Sequence, residues 1–162
     1  MMINVPAAFG LAIVTALTAD AATATANINV RLDILSECLI NAVPDIDFGA
    51  SGVLAANVDA TTTLSVQCTT GTPYTVALSA GAGIGATIGA RRMTGPASQT
   101  VTYGLYRDPG HTQLWGVSIG VDTAAGTGNG AAQTLTVYGR VPPQTTPGPG
   151  TYTDVVVATV TY

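Results

Sequence analysis

Lysine is absent from this chain, and charge of either sign is scarce. Of its 162 residues, 9% are Asp, Glu, Lys or Arg, against about 25% in an ordinary soluble chain. The basic residues are Arg31, Arg91, Arg92, Arg107 and Arg140, and the net charge is −4. No basic stripe exists to displace counterions from phosphates, so nucleic acid is not an expected partner. Scarce charge also removes the usual guard of exposed sheet edges, since lysines there discourage pairing with other chains. A chain rich in Thr and Val that lacks this guard either covers its edges or uses them.

Histidine occurs once, as His111, and cysteine twice, as Cys38 and Cys68. Four Cys or His ligands are the norm for structural zinc, so the sulfurs read as a disulfide in an oxidising compartment. Closing that loop of roughly 30 residues would stabilise the fold by about 3–4 kcal/mol. No metal site, cofactor or catalytic constellation is expected, and the chain does not read as an enzyme. Gly116-Val117-Ser118-Ile119-Gly120 has the G-x-S-x-G spacing of a nucleophile elbow, but no helix pattern follows it and the lone His precedes the Ser. Gly81 to Ala86 loosely fits a dinucleotide-binding loop without the βαβ context that loop needs. Asp45 and Asp47 read as solvated turn residues rather than calcium ligands. His111, in Asp108-Pro109-Gly110-His111, reads as an exposed turn histidine. Arg91-Arg92 is too small a cluster for nucleic acid. Trp115 and Tyr106 read as core or sheet-face aromatics rather than sugar platforms.

Length allows one domain plus a leader. Residues 6–19 form an apolar run of signal-peptide length, too short and too poorly flanked to span a membrane. Ala24-Thr25-Ala26 fits a cleavage site that would start the mature chain at Asn27; Ala19-Asp20-Ala21 competes with it. The run lacks a basic flank, so a buried N-terminal helix is the alternative. The expected organisation is a signal peptide over 1–26, an N-terminal strand over 27–36 and a single domain over 37–162.

Beyond the leader the dominant period is two. Leu64, Val66 and Cys68 share one face of the run 61–68, and Tyr74, Val76 and Leu78 share one face of 73–79. Further strands are expected at 38–43, 46–48, 100–107, 113–116, 134–141 and 151–162, separated by Gly/Pro-rich stretches. Short strands with such loops imply an all-β sandwich. Residues 27–34 alternate without a fault, with Ile28, Val30, Leu32 and Ile34 on one face and Asn27, Asn29, Arg31 and Asp33 on the other. Alone, this is a first strand.

A set of short motifs changes that reading. They are Asp47-Phe48-Gly49, Thr62 to Cys68, Arg91-Arg92-Met93, the run Val101 to Asp108, Leu114-Trp115-Gly116, Leu135 to Val141, and Gly150 to Asp154 followed by Val155 to Tyr162. In order and spacing the chain resembles the spore coat protein U family, which includes the pilins of archaic chaperone–usher pili, over about 27–162. The resemblance implies an incomplete immunoglobulin-like β-sandwich completed by donor-strand exchange. It implies an acceptor groove along Val156, Ala158, Val160 and Tyr162, with Ile28, Val30, Leu32 and Ile34 inserted as anchors into a neighbour. The implied partners are copies of the chain or sister pilins, a periplasmic chaperone and an outer-membrane usher. The implied place is the surface of a Gram-negative bacterium, reached through the periplasm, with a role in attachment and biofilm formation. A single-domain adaptor or adhesive subunit, or a secreted coat protein of the same fold, is the alternative.

Overall fold

The computed structural model describes residues 21–162; the apolar core of the expected leader lies outside the described residues. The chain divides into two compact units, with the boundary in sequence between Asp33 and Ile34. The first, described over residues 21–33, carries no helix or strand. The second, Ile34–Tyr162, is an all-β sandwich.

Its strands are β1 (Cys38–Ala42), β2 (Val58–Cys68), β3 (Pro73–Leu78), β4 (Arg91–Thr94), β5 (Thr100–Tyr106), β6 (Ala124–Thr127), β7 (Ala132–Val141) and β8 (Ala158–Thr161). One sheet has the order β1-β2-β7-β5-β4 and the other β6-β3-β8. Every pairing between neighbouring strands is antiparallel. The longest ladder runs between β2 and β7, from Val58↔Val141 to Gln67↔Ala132. Alternation decides what faces inward: Leu64, Val66 and Cys68 of β2, Tyr74, Val76 and Leu78 of β3, and Val101, Tyr103 and Leu105 of β5 are all buried.

Three expected strands differ. Residues 46–48 form no strand; instead Ile46 and Phe48 pack inward over β7, where a Cβ on Gly139 would stand 2.5 Å from Ile46 Cδ1. The bare backbone at Gly139 leaves room for these two side chains to pack close over the strand. Residues 113–116 make a single bridge, Leu114 to Tyr106, since the Asp108 carboxylate captures the Thr112 and Gln113 amides and the returning chain is short. The long C-terminal strand is broken: Thr153 bridges Thr94 of β4 in the first sheet, and Ala158–Thr161 pairs with β3 in the second. Strands β4 and β6 were not expected. Two consecutive arginines mask β4, and small residues leave β6 without a pattern.

Arg91 explains why β4 is possible. Its side chain is fully buried and donates to the carbonyls of Ser79, Ile88, Leu78 and Trp115 at 2.6–3.1 Å. Burial pushes its pKa below the ordinary arginine value, but the carbonyls solvate the cation in place of water. The guanidinium thus joins β3, the 88–91 turn and Trp115, whose indole N–H donates to Val76 at 2.8 Å.

Candidate functional site

Strands β1 and β8 each end a sheet, so each keeps one edge without a strand partner. They face each other along one side of the sandwich. Along the C-terminal segment an open groove of about 700 Å³ reaches the core, walled by Leu64, Val137, Leu78, Val156 and Ala158. A second hollow of about 580 Å³ continues past Ile46, Phe48 and Tyr152.

The C-terminal segment forms one lip of this groove. Val156, Ala158 and Val160 are half-buried and pack against the core, while Val155 and Val157 point outward. Tyr162 lies one residue beyond β8 and is 57% exposed. The crossing between sheets is fixed by Asp154. Its carboxylate accepts the Ala82 amide at 2.7 Å, the Val155 amide at 2.8 Å and the Tyr103 hydroxyl at 2.7 Å. Burial, and then this bond, push the Tyr103 phenol well above its ordinary pKa, so it stays a neutral donor. That polar latch was not legible in the sequence; only the Thr-Asp pair before an apolar run hinted at it.

The four expected anchors are solvent-facing. Ile28 is 87% exposed, Val30 91%, Leu32 80% and Ile34 70%. Arg31 and Asp33, two positions apart, form an ion pair at 3.0 Å, as same-side neighbours of an extended chain do. Cys38 and Cys68 are bonded at 2.01 Å across directly opposed positions of β1 and β2.

The residues weighed for chemistry are scattered. Ser118 sits in a turn, its amide held by Asp122 at 2.6 Å. Asp47 accepts the Gly49 amide at 2.8 Å, an Asx turn that permits φ +69° at Gly49. His111 is not exposed, contrary to its turn signature. Its side chain is 7% exposed and lies edge-on to Tyr106 and Tyr138, 3.9 Å from Asp59. A left-handed backbone at φ 57° folds it back onto the sheet. Asp59 is held below the ordinary aspartate pKa by a two-pronged bond from Arg140 at 2.6 and 2.7 Å. Among the described residues no three His, Cys, Asp or Glu side chains converge as a metal site requires.

Fold and site therefore define an immunoglobulin-like sandwich with one open side. A family model, Spore Coat Protein U domain, matches residues 24–159, and the chain belongs to that family. It is similar to Protein U of Myxococcus xanthus, 34% identical over 158 residues that cover 89% of this chain and 88% of that one. In fold it is similar to a chain in the crystal structure of the CsuC-CsuE chaperone–tip adhesion subunit pre-assembly complex from archaic chaperone-usher Csu pili of Acinetobacter baumannii. The TM-score is 0.56 at 17% identity, covering 80% of this chain; this chain spans 40% of that chain's length.

Proposed function

We propose that this protein is a structural subunit of an extracellular pilus, not an enzyme, and that it polymerises by lending residues 27–34 to the groove of a neighbour. The carrying observation is the open groove along the C-terminal segment, walled by core residues and running up to β8 with its unpaired edge, in a chain that also presents an alternating segment exposed on both faces. Added strands gain affinity from backbone hydrogen bonds and specificity from alternate side chains. Ile28, Val30, Leu32 and Ile34 repeat every second residue, as do Val156, Ala158, Val160 and Tyr162. Four aliphatic anchors at about 1.5–3 kcal/mol each give a gross 6–12 kcal/mol before ordering costs. Donor and acceptor surfaces differ, so the contact is head-to-tail and builds an open filament. Before assembly the groove needs a guardian, and a periplasmic chaperone fits that need, followed by exchange at an outer-membrane usher. Residues 1–26 would direct export and be removed on the way, and the filament would serve surface attachment and biofilm formation.

The test is strand exchange. A chain beginning at Glu37, held by its chaperone, is offered a peptide of residues 26–35. Chaperone release and a large rise in melting temperature are expected; a peptide with Ile28→Asp and Leu32→Asp does neither. A shortened chain that is stable without chaperone or peptide contradicts the proposal. The likeness to Protein U, within a family described by spore coats, favours a second reading, a secreted coat protein of the same fold. Genes for a chaperone and an usher beside this one would set that reading aside.

A further inference from the structure

The stretch joining the arm to the sandwich is exposed yet tied down. Leu35, Ser36 and Glu37 all face solvent, and one side chain gathers the first and last of them. Thr69 directly follows Cys68 at the end of β2. Its Oγ1 donates to the Leu35 carbonyl at 2.9 Å and accepts the Glu37 amide at 3.2 Å. Its own amide donates to the Glu37 carbonyl at 2.9 Å, which extends the β1–β2 pairing one step past the bridged cysteines. A hydroxyl that donates to one carbonyl and accepts from an amide two residues on must hold one rotamer. The backbone direction at Leu35 is thereby set.

We propose that Thr69 is a positioning residue: with the Cys38–Cys68 bridge it clasps residues 35–38, so that the root of the arm is stiff and the joint between successive subunits bends little. This rests on the strand-donating reading above. A donated strand is rigid inside its host, so the bending of a joint is decided at the root. Strand β1 alone is a poor root, being a short edge strand whose register shifts between Ile40 and Ala42. The disulfide passes any pull on the arm to β2, which is paired along its length with β7. Exposed hydrogen bonds compete with water; the adjacent covalent bridge keeps Thr69 opposite Glu37, so that they re-form.

The test compares wild type, Thr69→Val and Thr69→Ser in the full chain. Valine keeps the shape and the backbone amide but removes Oγ1; serine restores the hydroxyl. Amide exchange at Glu37 is measured on the monomer, and persistence length on filaments by electron microscopy. Thr69→Val is expected to speed Glu37 exchange by about fivefold, the factor of one net hydrogen bond. It is also expected to shorten the persistence length, at unchanged melting temperature, with Thr69→Ser restoring both. Unchanged exchange at Glu37 overturns the clasp. Faster exchange with filaments as stiff as wild type overturns the positioning role. A wild-type chain that forms no filament overturns the strand-donating reading and the positioning role with it, while the monomer exchange still reports whether the clasp exists.

Discussion

Residues 27–34 and residues 151–162 are written in the same alternating code, yet only the second is packed. In the C-terminal segment Val156, Ala158 and Val160 rest on the core, and β8 pairs with β3. In the arm every anchor is at least 70% exposed. Alternation therefore specifies a strand with one apolar face; it does not specify whose core that face enters. Among the described residues the C-terminal segment packs on its own chain while the arm stays exposed. That asymmetry is the one a head-to-tail polymer needs.

The largest expected effect lies where the chain enters the sandwich after the arm, at the Cys38–Cys68 bridge. Replacing both Cys38 and Cys68 by Ser should cost the sandwich about 3–4 kcal/mol in denaturant unfolding, since the bridge closes a long loop; a loss below 1 kcal/mol would show that β1 holds without it. Next comes a paired substitution that separates the regions. Val160→Asp sets a carboxylate against the core and should cost about 2–3 kcal/mol of domain stability. Val30→Asp should leave stability within about 0.5 kcal/mol but abolish polymer formation. Equal destabilisation by the two would erase the contrast.

Smaller effects sharpen the account of the C-terminal crossing. Tyr103→Phe removes the hydroxyl that Asp154 accepts and should cost about 1–1.5 kcal/mol, with faster amide exchange at Ala82 and Val155. The smallest effect concerns pH and tests a surface remote from either region. Asp59 has a folded pKa below the ordinary 3.8, so its pairing with Arg140 stabilises the fold above that value. The contribution is lost as pH falls through the depressed pKa. The pair is partly exposed and screened by solvent, so its contribution is small. Wild type should therefore exceed Asp59→Asn in melting temperature at pH 6, and the difference should shrink as acid protonates the Asp59 carboxyl.

Much of the fold could be read from the sequence because β2, β3, β5 and β7 obey simple alternation, and the cysteines had few other uses. What escaped did so for physical reasons. Strand β4 begins with Arg91, whose burial depends on four carbonyls, those of Leu78, Ser79 and Trp115 being brought from distant positions. The break at Asp154 depends on Tyr103 and Ala82, far away in the chain. His111 follows a turn signature faithfully, yet the turn folds the ring inward between two tyrosines. Local pattern carries periodicity; it does not carry which distant groups will satisfy a buried charge or a broken ladder.

Hydrogen exchange on the full chain, monomer against polymer, tests the central claim most directly. Strand donation predicts that the amides of residues 27–34 and those on the free edges of β1 and β8 become protected together, and only in the polymer. Polymers in which both sets exchange as fast as in the monomer would contradict it.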